Sequence, residues 1–83
     1  MTYDELNDAI WHLYNAFYSD LYQEDGIDPI AVYAKYTCYM SHAIGLAYSQ
    51  GQITKDDYEG AVSNYSLIAN ELLEAARLRK RGY

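Results

Sequence analysis

Two pairs of side chains have the types and spacing from which chemistry is built. Asp8 and His12 stand one helical turn apart, with Glu5 three residues earlier. Such a set could offer oxygen and nitrogen donors to a divalent metal, but a closed site needs a third and fourth ligand that no other spacing supplies. Cys38 and His42 repeat the one-turn spacing and pair a thiol with an imidazole. A nucleophilic thiolate also needs an oxyanion donor and a third group to orient the ring, and none can be named. The simpler expectation is a packed Cys38 and a hydrogen-bonded His42. Ser19, Ser41, Ser49, Ser63 and Ser66 lack the glycine context of a nucleophile elbow. The sequence therefore points away from an enzyme, with no catalytic residue, no bound metal and no cofactor.

Those side chains must be positioned by helices, and three entry signals mark where the helices begin. Thr2 and Glu5 form a capping box, with Met1 set to staple onto Leu6. Leu6, Ile10, Leu13, Phe17 and Leu21 then recur at three- and four-residue steps as far as Gly26, a left-handed stop. A first helix over about residues 3–24 follows. Asp28 and Pro29 make an N-cap and first-turn pair, and Ile27 with Val32 a second staple. They open a helix over about 29–50 that ends before Gly51. Its Ala31, Ala34, Cys38, Ser41 and Gly45 form a strip of small residues, expected to let a neighbouring backbone approach closely and to make this the most enclosed element. Thr54 and Asp57 repeat the capping pattern, and Ile53 with Tyr58 the staple. The third helix, about 55–80, carries Tyr58, Ala61, Val62, Tyr65, Ile68, Ala69, Leu72, Leu73 and Ala76 on its apolar side.

Three helices of similar length with short connections predict an all-α fold, an antiparallel up-down-up three-helix bundle forming one domain over residues 1–83. A chain this short buries only about 60–65% of its unfolded surface, so self-association would add to its stability. The apolar run from Ile30 to Tyr48 is broken by Lys35 and His42 and is not expected to span a membrane. A lone Cys38 has no disulfide partner, which fits a reducing, cytoplasmic setting.

The formal net charge is −6. The acids Asp4, Glu5, Asp8, Asp20, Glu24, Asp25 and Asp28 all precede Lys35, the first Lys or Arg, while Arg77, Arg79, Lys80 and Arg81 form a basic terminus. In an up-down-up bundle the first and third helices begin at the same end. That arrangement gathers Asp4, Glu5, Asp8, Asp56, Asp57 and Glu59 into one acidic patch, and sets a second group, Asp20, Glu24 and Asp25, beside the basic terminus. Acids near helix starts also match the helix dipole, so the clustering carries more information than any single carboxylate. A continuous acidic face imitates a phosphate backbone and suits a basic nucleic-acid-binding surface.

Eleven tyrosines and one tryptophan stand against a single phenylalanine. Because each buried tyrosine hydroxyl needs a hydrogen-bond partner, these rings belong at half-buried boundaries more than in a core. Trp11, Tyr14, Tyr18 and Tyr22 recur at helical spacing beside the Leu/Ile/Phe stripe of the first helix and form an aromatic face. Such rings serve as hot spots in protein interfaces, or pack against the third helix or a second copy. With a pI near 4.5 and only six basic residues, direct nucleic-acid binding is not expected.

Short length, acidity, tyrosine richness and the lack of a catalytic motif together resemble small phage and mobile-element proteins that disable host defence, of the anti-CRISPR and anti-restriction kind. The resemblance is one of general character, and no functional residue is carried over from it. It implies a stoichiometric inhibitor in the host cytoplasm that blocks a basic nucleic-acid-binding protein or complex. Two further readings stand beside it. One is a small-nucleotide sponge, with bases on the tyrosines and phosphates on the basic terminus. The other is a structural homo-oligomer, a homodimer at its simplest.

Overall fold

The computed structural model describes residues 2–23 and 27–82. Three helices follow in order: α1 (Tyr3–Gln23), α2 (Pro29–Ser49) and α3 (Lys55–Lys80). Among the described residues there is no strand. The molecule is an all-α three-helix bundle, a rod of 42 × 18 × 16 Å whose long axis suits the length of α3.

Each helix starts where a side chain can satisfy the free amides of its first turn. The Thr2 amide donates to Glu5 Oε1 and the Glu5 amide to Thr2 Oγ1, both at 3.1 Å, which completes the reciprocal capping box. Asp28 accepts from the Ile30 amide at 3.1 Å, with Pro29 at the head of α2. Thr54 accepts from the Asp57 amide at 3.1 Å. There the box stays half made, because the Asp57 side chain, one methylene shorter than glutamate, gives no return bond. The end of α2 is a Schellman motif. Gly51 has φ +70°, the Gln52 amide reaches the Ala47 carbonyl at 2.9 Å, and the Gly51 amide reaches Tyr48 at 3.0 Å. The anticipated Met1–Leu6 staple, the Gly26 stop and Glu24 lie outside the described residues.

The core takes Leu6, Ile10, Phe17 and Leu21 from α1, Tyr36, Met40, Ile44 and Ala47 from α2, Ala61, Leu72 and Ala76 from α3, and Ile53 from the connection before α3. Contacts between helices fix their directions. Tyr3 lies beside Gly60, Tyr14 and Tyr18 reach Glu71, and Arg79 reaches Leu21, so α1 and α3 run the same way. Phe17 meets Tyr36 edge to face at 6.2 Å, and Tyr48 stacks on Tyr58 at 4.4 Å, which places α2 antiparallel between them. The α1–α3 seam is the sparsest of the three helix–helix interfaces.

One expectation is overturned. Ala31, Ala34, Cys38, Ser41 and Gly45 are all exposed, and a Cβ built on Gly45 would have no neighbour within 4 Å. The small-residue strip is the outer face of α2. Burial favours the side of a helix with the larger apolar area, and Tyr36, Met40, Ile44 and Ala47 supply it here. Cys38 and His42 consequently face solvent, in place of the packed thiol and bonded imidazole expected of them.

Candidate functional site

An aromatic line, a shared carboxylate and an open groove occur together on one face, the seam between α1 and α3. By helical spacing Asp4, Asn7, Trp11, Tyr14, Tyr18 and Tyr22 form one line along α1. Asp57, Gly60, Asn64, Leu67, Glu71 and Glu74 form the matching line along α3. Parallel helices bring the two lines together in register.

Toward the C-terminal ends the seam is closed by hydrogen bonds. The hydroxyls of Tyr14 and Tyr18 both donate to Glu71 Oε2, at 2.6 and 2.7 Å. The rings continue as an edge-to-face ladder: Trp11 on Tyr14 at 5.0 Å, Tyr14 on Tyr18 at 5.1 Å, and Tyr18 on Phe17 at 5.1 Å. Two hydroxyl donors on one carboxylate favour its ionised form, so the Glu71 carboxyl is held below the usual range, first by Tyr14 and then by Tyr18. The same bonds favour the neutral phenols. Tyr14 is raised chiefly by its bond to Glu71, and Tyr18 chiefly by burial, with that bond second. Farther along, Arg79 Nε donates to the Leu21 carbonyl at 3.1 Å, and its guanidinium lies 5.8 Å from the Tyr22 ring centre. The basic terminus thus meets the end of α1, as the topology required.

Toward the N-terminal ends the seam is open. A groove of about 240 Å³ runs between the helices, with Leu6, Ile10 and Trp11 on one wall and Ala61, Asn64, Tyr65, Leu67 and Ile68 on the other. Trp11 is 53% exposed and Leu67 70% exposed. Alongside Trp11, α3 places the small Ala61, the short Asn64 and an outward-turned Leu67, and none of them closes the gap as Glu71 does farther along.

Beside this groove lie the predicted acids. Asp4, Glu5, Asp8, Asp56 and Glu59 are exposed, and Asp57 is half-buried. Glu5 is occupied by its cap, which lowers its carboxyl below the ordinary value. Among the described residues, Asp4, Asp8, Asp56, Asp57 and Glu59 have no ion-pair partner. The contact of Tyr3 with Gly60 sets the two acidic helix starts side by side, although helical spacing turns Glu59 away from the seam. The second acidic group is different in kind. Asp20 lies within α1, accepts the Tyr36 hydroxyl, and sits 3.9 Å from Lys35. That bond, with burial second, pushes the Tyr36 phenol up to about 12. Glu24 and Asp25 lie outside the described residues.

No family model, curated protein or solved structure matches this chain. The face must be read from its own chemistry. Asp8 with His12 and Cys38 with His42 all stand exposed, with no bond joining either pair. No helix among the described residues is long and apolar enough to cross a membrane.

Sequence reasoning missed Glu71 and Leu67. The signal for Leu67 was present, since a leucine that falls off the apolar side of α3 has no core to enter. Glu71 gave no local signal. Its role depends on the register that places it opposite Tyr14 and Tyr18.

Proposed function

We propose that the protein is a non-catalytic, stoichiometric inhibitor that docks through its acidic, aromatic α1/α3 face on a basic nucleic-acid-binding surface of another protein and excludes the nucleic acid. The observation that carries this reading is the pairing of exposed carboxylates, which have no ion-pair partner among the described residues, with an open apolar groove. Asp4, Asp8 and Asp56 supply long-range attraction to lysines and arginines, and Trp11 and Leu67 supply area to bury once contact is made. The general likeness to anti-defence proteins favours a host defence or nucleic-acid-processing complex in the cytoplasm as the target.

A homo-oligomeric assembly has one observation of its own, the outer face of α2. It exposes Leu46 and the small residues around Gly45, with Lys35 as its only formal charge. The nucleotide-sponge reading gains no such support, because the Tyr14 and Tyr18 hydroxyls and Arg79 are already engaged within the bundle.

The test is affinity capture at low and high salt with the wild type and the Asp4→Lys/Asp8→Lys variant, followed by nucleic-acid binding assays on the retained protein. Inhibition predicts a nucleic-acid-binding target that is lost at high salt, lost with the variant, and displaced from its nucleic acid by the wild type. Equal retention by the variant would remove the acidic face from the account.

A further inference from the structure

We infer that the open groove between α1 and α3 seats an amphipathic helix of the partner, with an apolar stripe bordered by lysine or arginine, which then lies along the bundle as a fourth helix. This rests on the proposed reading that the partner is basic, and goes beyond it by naming the segment and its seat.

The shape argues for a helix. Two parallel helices in sparse contact leave a straight furrow between them, and a third helix fills such a furrow by placing side chains between theirs, as in four-helix bundles and helix-in-groove complexes. A volume of about 240 Å³ suits anchoring side chains pushed down from a helix above. The walls argue for an apolar stripe. Leu6, Ile10 and Ile68 line the interior, while Trp11 and Leu67 stand on opposite rims with half or more of their surface in water. Asn7 and Asn64 add amide groups able to fix the direction of what binds.

The charge decides whose helix it is. On α1, Asp4 and Asp8 lie seven and three residues before Trp11; on α3, Asp57 lies seven residues before Asn64 on the same line, and Glu71, which holds Tyr14 and Tyr18, lies four after Leu67, so carboxylates border the groove from both helices. No Lys or Arg occurs on α1, nor on α3 between Lys55 and Arg77. A second copy seated here would set these carboxylates against its own, and a nucleic acid would meet the same repulsion. A helix with Lys or Arg flanking its apolar stripe meets opposite charge on both sides.

Trp11 is the only tryptophan, so its fluorescence reports directly on the groove. The probes are three synthetic helical peptides added to the full chain. The first has a leucine stripe flanked by Lys and Arg, the second has the same composition shuffled to break the stripe, and the third has Glu in place of Lys and Arg. The first peptide is expected to shift Trp11 emission to the blue and to move the amide resonances of Ile10, Asn64 and Leu67, and the other two are not. Leu67→Asp, which alters a side chain already in solvent, is expected to weaken the first peptide about tenfold or more at an unchanged melting temperature. Equal binding of the shuffled peptide, perturbations confined to α2, full affinity in Leu67→Asp, or a dimer that already buries Trp11 would each overturn the inference. If no peptide seats while Asp4→Lys/Asp8→Lys still abolishes partner capture, the groove inference falls and acidic docking stands. If the first peptide seats as expected while that variant captures the partner normally, the inhibitory reading falls and the groove stands.

Discussion

The two halves of the α1/α3 seam carry the same aromatic spacing and end differently. In the C-terminal half Tyr14 and Tyr18 share Glu71, and Arg79 closes the end against Leu21 and Tyr22. In the N-terminal half Trp11 faces Ala61, Asn64 and Leu67, and a groove remains. The difference lies in what α3 presents. A carboxylate long enough to reach two hydroxyls draws the rings onto the neighbouring helix, whereas a small residue and a short amide leave the tryptophan in water. One half of the seam is closed by hydrogen bonds within the bundle, and the other stays open to water.

The largest effect should come from the core beneath the closed half. Phe17 is fully buried, and Phe17→Ala is expected to cost about 3–5 kcal/mol, enough to leave a bundle of this size largely unfolded in denaturant titrations. A smaller loss would mean that the closed half is less tightly packed than its contacts imply.

Next is the hydrogen-bonded cluster itself. Glu71→Gln is expected to cost about 1 kcal/mol, discounted because the carboxylate is open to water. It should also change the pH profile. The folded Glu71 carboxyl lies below its ordinary value of 4.5, so the unfolded chain takes up the proton first as pH falls. This contribution is full above about pH 4.5 and is lost as pH drops through the folded value. The phenols behave in the opposite sense. Tyr36 rises from 10.0 to about 12, and Tyr14 is also raised, so their share is full below pH 10 and is lost as pH climbs through each folded value, about 12 for Tyr36. Urea midpoints across pH should show both limbs in the wild type and a weakened acid limb in Glu71→Gln.

The exposed positions should respond least. Gly45→Ala places a methyl group in open space within a helix and is expected to stabilise by about 0.5–1 kcal/mol. Destabilisation would show that α2 has a close neighbour in solution. Leu67→Ser on the open rim is expected to stay within about 0.5 kcal/mol of wild type. A loss comparable to that of Phe17→Ala would erase the distinction between the two halves.

The helices were legible because their signals are local. Thr2 with Glu5, Asp28 with Pro29, and Thr54 each act within one turn, and the observed starts follow them. The inward side of α2 was harder to read, because its apolar residues occur all round and only competition for core area decides which face turns in. Gly45 looked like a site of close approach, and it faces open space. The aromatic line on α1 was also legible, but its division into a closed and an open half was not. That division is set by Glu71 and Leu67, which lie more than fifty residues away along the chain and meet α1 only through the bundle register.

The central claim is that the open half of the seam and its carboxylates are the working surface. It is tested most directly by comparing, at low salt, what wild type, Asp4→Lys/Asp8→Lys and Leu67→Asp retain from a cell lysate, once matched melting curves show all three folded. The account predicts that wild type alone retains a nucleic-acid-binding protein, releases it at high salt, and blocks its nucleic acid. Equal retention by all three would contradict it and move the working surface elsewhere on the bundle.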